Sequence, residues 1–231
     1  MKEKPMESML SYLSELEQNN NRDWYHAHKK ENKAAVLAFE NLVAQLLLEI
    51  GLWDDRVLFY HPSELTFRLT RDTRFGADKS PYRPAFRAHI GPQGKISIPV
   101  GYFIYLQPGG RSFLGAGLFT DFLRDATLLV RQAIAARGEE WRSIVEHPDF
   151  AGRFSVYGTA LKNVPKDFNP GHPQGEYLKH KSWYLEYPVQ DEQVLSPDFP
   201  QFAADTFRAM KPFNDFLNQA LADFQWPEHA Y

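Results

Sequence analysis

A chain of 231 residues, 43% hydrophobic and 24% charged, is long enough to bury a substantial core. It contains no cysteine, which excludes disulfides, thiolate metal sites and cysteine nucleophiles. The net charge of −3 conceals two basic stretches, 68–87 and 162–181, outside which 16 cations face 25 acids, so a nucleic-acid backbone is repelled over most of the surface.

The opening MKEKPMESML sets acids before any apolar run, so no secretory signal is read. Met9, Leu10, Leu13 and Leu16 form one stripe of a short helix over 6–18. Asn19, Asn20 and Asn21 end it and can cap the next helix, because asparagine tolerates capping and left-handed conformations. A helical region is predicted over 22–51, with Trp24, Leu37, Leu42, Leu46 and Ile50 inward and Gly51 as its stop. Its most apolar part, 34–53, is interrupted by Glu40, Asn41, Gln45 and Glu49, which marks an amphipathic helix and not a membrane span. A soluble, cytoplasmic protein with no membrane partner is expected.

The period then changes. Leu65, Phe67 and Leu69 alternate with Thr66, Arg68 and Thr70, and Phe86, Ala88 and Ile90 alternate with Arg87 and His89, each the mark of a half-buried strand. A turn at 91–94 leads into a long strand region, 95–107, and Pro108-Gly109-Gly110 turns it into a strand over 111–119. Arg68, Arg87 and His89 are placed on the polar face. Gly115 and Gly117 bare one face of the last strand, leaving room for a ligand or for a closely packed helix.

Thr120 can cap a helix running to about Arg137, and a shorter helix covers 139–147. Residues 148–181 are rich in proline and glycine and read as irregular, 183–189 as a further strand. Ser196-Pro197 opens a last helix that Pro212 kinks or restarts. No repeat, low-complexity tract or linker divides the chain. The expectation is one α+β domain over 1–231, a mainly antiparallel sheet of about 4–6 strands packed with N- and C-terminal helices.

Chemistry centres on the first basic stretch, which holds six cations against Asp72 and Asp78. In one reading the loop 71–84 presents Arg71, Arg74, Lys79 and Arg83 around a single anion, with Tyr82 donating its hydroxyl, since arginine forks suit phosphate and carboxylate. In the other, Asp72 and Asp78 pair with neighbouring arginines and lock the loop. In the second stretch, Lys179 and Lys181 add charge to the same anion site, and His180 or Glu176 is a conceivable proton-transfer group. His172, Glu176 and His180 are spaced four apart, but Pro173 and Gly175 oppose a helix through His172 and no HExxH pattern exists, so no metal is assigned. No P-loop, dinucleotide fingerprint or GxSxG elbow is present, and no cofactor is expected.

Several motifs together resemble a known family. Asn19-Asn20-Asn21-Arg22-Asp23-Trp24-Tyr25, Arg68-Leu69-Thr70-Arg71-Asp72-Thr73-Arg74-Phe75, Asp78-Lys79-Ser80-Pro81-Tyr82 and Gly115-Ala116-Gly117 resemble the family known as domain of unknown function 2461. Pro165-Lys166-Asp167-Phe168, His172-Pro173 and Leu178-Lys179-His180-Lys181-Ser182 continue the resemblance, which covers about residues 6 to 225. The pattern departs at Asp167, where glycine is expected, and at Tyr25, where phenylalanine is usual. The resemblance implies a single domain of about this length with both basic stretches as its marks; it implies no reaction.

The leading expectation is therefore a protein that binds an anionic small molecule through Arg71, Arg74, Lys79, Tyr82, Arg83, Lys179 and Lys181, with His180 or Asp72 as proton carrier should chemistry occur. The competing class is a non-catalytic interaction protein whose arginines form a salt-bridge scaffold or meet an acidic partner. Nucleic-acid binding ranks third, and substrate and oligomeric state are left open.

Overall fold

The computed structural model of the chain describes residues 4–74 and 77–227, so Phe75 of the arginine-rich motif lies outside the described residues. The chain opens with α1 (Pro5–Gln18), where Pro5 occupies the first turn and its missing N–H costs nothing. Met9, Leu13 and Leu16 are fully buried along one stripe. The helical region expected over 22–51 divides into α2 (Arg22–Ala27) and α3 (Lys29–Gly51). The break falls at His28, whose ring stacks on Trp24 at 4.0 Å and whose Nδ1 lies 2.8 Å from the Trp24 carbonyl. Side chain and backbone thus share one acceptor where the chain bends.

Along α3 the stripe of Ala35, Ala38, Phe39, Leu42, Val43, Leu46 and Ile50 is buried. Leu37, expected inward, is 58% exposed. It lies two residues from both Ala35 and Phe39, and so on the far side of the helix. Gly51 ends α3 through close packing, since a Cβ there would come 2.4 Å from the Leu58 side chain. A regular strand over 65–70 does not form. α4 (Pro62–Leu65) takes up Leu65, and 66–70 is an extended segment joined by isolated bridges, Thr66 to Ala88 and Thr70 to Tyr82.

Four strands, β1 (Phe86–Ile90), β2 (Tyr102–Leu106), β3 (Ser112–Leu118) and β4 (Trp183–Val189), pair antiparallel in the order β1-β2-β3-β4. Between β3 and β4 lie α5 (Arg124–Ala136), α6 (Gly138–Val145), α7 (Pro148–Ala151) and α8 (Gly175–Leu178); after β4 come α9 (Asp191–Val194) and α10 (Phe199–Ala220). The strand expected over 95–107 is reduced to β2 because a loop precedes it, carrying Pro99 without an N–H for the ladder. Asn218 of α10 bonds both the N–H and the carbonyl of Val100 in that loop, at 2.7 and 3.0 Å. Nor does Thr120 cap α5: the helix starts at Arg124, and the Thr120 hydroxyl is buried without a hydrogen-bond partner among the described residues. Helix α10 runs unbroken through Pro212.

One face of the sheet, with Phe86, Ala88, Ile104, Leu114, Leu118, Trp183 and Leu185 buried, packs on α3 and α10 in a core that extends from Met9 to Leu221. Each fully buried side chain of this size contributes roughly 1.5–3 kcal/mol. Gly117, at φ 101, backs onto α10, where a Cβ would come 2.8 Å from the Phe213 ring. At Gly115 a Cβ would come 2.9 Å from Phe119. Both glycines therefore serve close packing and leave no empty space. On the opposite face Arg87, Phe103, Tyr105, Phe113, Tyr184 and Glu186 are half-buried.

Candidate functional site

The loop that carries the first basic stretch is built on a broken ladder. Phe67 N–H donates to the Arg87 carbonyl at 2.9 Å, Arg83 N–H to Leu69 at 2.7 Å and Arg71 N–H to Pro81 at 2.9 Å. From Thr66 to Thr70 the chain takes four steps, whereas its partner takes six from Tyr82 to Ala88. The two extra residues form a bulge, tightened by an Ala85 N–H to Arg83 carbonyl bond of 2.8 Å across Pro84, whose fixed φ suits such a turn. A bulge re-aims side chains, and Arg83, beside this one, lines the cleft described below.

The asparagine motif holds this arrangement. Asn19 donates to the Glu15 carbonyl at the end of α1, and Asn21 caps α2 by accepting from Trp24 N–H at 2.9 Å. Asn20 clamps the loop, its Nδ2 donating to the Tyr82 carbonyl at 2.9 Å and its Oδ1 accepting from the Tyr82 N–H at 3.1 Å. Tyr82 itself turns inward and stacks on Tyr25 at 4.0 Å, so it does not line the anion cleft that the sequence suggested.

Most of the loop cations have internal partners. Arg71 pairs with Asp78, and Arg74 with Asp72 at 2.7 Å. Lys79 donates to the Thr73 carbonyl at 2.9 Å. The Arg74 guanidinium and N–H hold Asp72 down to about 2, and the Ser80 hydroxyl and N–H, followed by Arg71, hold Asp78 at about 2. Asp72 is thus an ionised, engaged carboxylate at neutral pH and a poor proton carrier. Arg83 differs, because its guanidinium makes no ion pair or hydrogen bond among the described residues. Nearby, Arg87 donates to the Arg68 carbonyl at 3.2 Å and lies 5.2 Å over the Phe67 ring, while its Nε is buried without a partner. Burial first, and then Arg83, lower its pKa.

Between this loop and β2 lies a cleft of about 460 Å³, lined by Asn20, Arg71, Ser80, Arg83, Tyr105 and Gln107 among others. Tyr105 donates its hydroxyl to Gln107 at 2.8 Å along the cleft floor. The acids at its rim are occupied, Asp78 by Arg71 and Glu17 by Arg111 at 2.5 Å. Among the described residues that line the cleft, Arg83 is the cation without an ion pair. A depression of about 410 Å³ elsewhere, bounded by Met6, Leu42, Leu195 and Phe199, is apolar and holds none of these groups.

The second basic stretch lies at the other corner of the sheet. Phe86 pairs with Leu106 and Ser112 with Val189, so the loop before β1 shares an end with the C-terminus of β4. Lys179 and Lys181 precede Trp183, which faces Leu118 at the opposite end and opposite edge. Three strand spacings and the length of β4 separate the two corners by about 25 Å. Lys179 pairs with Glu176 at 2.6 Å and Lys181 with Asp121 at 3.4 Å. The structure therefore does not bring these lysines to the first cleft.

The histidines of this stretch have local roles. His172 accepts from Gln174 N–H on Nδ1, which leaves Nε2 to donate to the Ala135 carbonyl at 3.1 Å, tying the irregular segment to α5. His180 is packed by Tyr177 and Trp183, with its carbonyl held by Arg131 at 3.0 Å; burial lowers its pKa, against the opposing charge of Glu176. Helix α8 starts only after His172, so the four-residue spacing does not align His172, Glu176 and His180. Among the described residues no group of three or more His, Asp or Glu side chains is placed to hold a metal.

Sequence reading missed Asn20, Tyr105, Gln107 and the half-buried Arg87 as parts of one locale. The available signal was the run of aromatics at Phe103, Tyr105 and Phe113, which sit on the alternate positions that an exposed sheet face normally fills with polar side chains. The chain matches, over residues 8–216, a family model described as a conserved hypothetical protein (DUF2461). No curated protein and no solved structure matches it. The matched span includes the asparagine clamp, the arginine loop, all four strands and the second basic stretch, and the chain belongs to the DUF2461 family.

Proposed function

We propose that the protein binds a small phosphorylated or carboxylated molecule in the cleft between the loop 71–84 and β2. The observation that carries this reading is Arg83, a cation beside the bulge that lines a polar cleft and whose guanidinium has no ion pair or hydrogen bond among the described residues. Arg71 stands beside it as a second donor, oriented by Asp78. Arg74 and Lys79 serve the loop itself, tying it to Asp72 and to the Thr73 carbonyl. The scaffold reading thus accounts for these two residues and leaves Arg83 unexplained. Lys179, Lys181 and His180 lie outside the site, and Asp72, the other proton carrier expected should chemistry occur, is engaged by Arg74. The reading is accordingly one of binding.

The test is thermal unfolding in phosphate against chloride at matched ionic strength. Phosphate is expected to raise Tm in the native sequence and in Lys179→Ala, and to leave Arg83→Ala unchanged. An Arg83→Ala protein that responds to phosphate as the native chain does would overturn the assignment.

A further inference from the structure

Through Tyr105 the cleft adjoins the face of the sheet opposite α3 and α10, and that face is aromatic. Tyr105 stacks on Phe113 at 4.9 Å with 14° between their planes. Phe103 lies 6.0 Å from Phe113 and 5.5 Å from Phe119, and Phe119 stacks on Tyr184 at 4.7 Å. All five rings are half-buried, and the principal helix packing on β1 and β3, from α3 and α10, comes from the other side. These rings pack on one another and, being half-buried, still leave apolar surface that a flat ligand can cover. Tyr105 belongs both to this floor and to the anion cleft.

Charge gives the floor a direction. Arg83 and Arg87 border it on the β1 side. On the β4 side stands Glu186, paired in register with Gly115 and lacking any ion pair or hydrogen bond among the described residues. An anion is therefore attracted at one border and repelled at the other. From the shared Tyr105, the uncompensated Arg83 and the partnerless Glu186, we infer that the ligand is a flat ring bearing one anionic group, of the nucleoside monophosphate class. Its ring lies on Phe103, Tyr105 and Phe113, and its phosphate meets Arg71 and Arg83. This rests on the anion-binding reading above. An oligonucleotide fits less well, because its next phosphate is carried toward Glu186.

Calorimetric titration of the intact protein with adenosine 5′-monophosphate, ribose 5-phosphate, adenosine and inorganic phosphate tests the inference. The monophosphate is expected to bind about tenfold or more tightly than ribose 5-phosphate, the difference expected for one stacked base. Phe113→Ala should erase that advantage and leave inorganic phosphate binding unchanged. Should that variant fail to fold, Phe103→Leu keeps the bulk and removes the flat ring. Equal affinities for the monophosphate, ribose 5-phosphate and phosphate overturn the stacking inference and leave the anion site standing. No binding of any phosphate, or binding of adenosine as tight as that of its monophosphate, overturns both. A short single-stranded oligonucleotide binding more tightly than the monophosphate, or a dimer that Phe113→Ala dissociates, also overturns the inference.

Discussion

Replacing Asn20 by alanine is the sharpest probe of how this protein builds its cleft. Asn20 alone satisfies both backbone groups of Tyr82, a residue only 5% exposed, while the flanking Pro81 and Arg83 bond across to Arg71 and Leu69. The substitution removes two hydrogen bonds and leaves a donor and an acceptor unpaired in a part-buried setting, at about 1–2 kcal/mol each. The expected loss is about 2–4 kcal/mol, or a Tm lower by roughly 5–15 °C for a chain of this size. Urea unfolding of the two proteins measures it directly, and phosphate binding should weaken in the same variant because Arg83 adjoins Tyr82 in the chain. Asn20→Asp separates the two bonds: the carboxylate still accepts from the Tyr82 N–H but confronts the Tyr82 carbonyl, so its defect should ease as the acid protonates below about pH 4. A loss of less than about 0.5 kcal/mol in Asn20→Ala, the level of an ordinary surface change, would refute the clamp.

Three more substitutions probe the same geometry. Arg83→Ala should unfold at close to the native Tm in chloride, because no internal partner is lost; a marked destabilisation would show that Arg83 is structural. His89 is buried with its Nδ1 2.9 Å from the Gly94 carbonyl, and burial lowers its pKa to about 4. The unfolded ring titrates near pH 6.5, so the stability His89 confers is complete above that value and is lost as pH falls from about 6.5 through 4, by about 3 kcal/mol in all. His89→Gln should flatten that part of the pH–stability curve, and an unchanged curve would contradict the assignment. Burial raises the pKa of Glu186, so its folded form favours the proton and its ionisation works against folding as pH rises through the folded value. Glu186→Gln should therefore raise Tm at pH 7 and leave it nearly unchanged at pH 3, and a lower Tm at pH 7 would indicate a partner for the carboxylate.

Much of the architecture is legible in the chain because it depends on local pattern. The stripe of α1, the alternation of Phe86, Ala88 and Ile90, and the capping chemistry of Asn19 and Asn21 each arise from neighbours a few residues apart. Boundaries were less legible wherever a tertiary contact competes with propensity. His28 divides one expected helix through its ring and the Trp24 carbonyl, and the loop before β2 is held by Asn218, 118 residues away. Pro212 remains inside α10, where Phe213, Phe216 and Leu217 are all buried.

The order of residues is enough to establish that six cations crowd into 68–87 with two acids among them, and that the loop between them is stiffened by Pro81 and Pro84. Which of those cations meets an acid is a question of distance, and it took the folded arrangement to answer it. Asp72 and Asp78 reach Arg74 and Arg71, and among the described residues neither forms an ion pair with Arg83. Likewise, the charge of Lys179 and Lys181 is plain in the sequence, but the antiparallel register carries them to the far corner of the sheet. Electrostatic attraction falls steeply with separation in water, so composition can announce basic stretches while register and bulge decide which of their cations meet an acid.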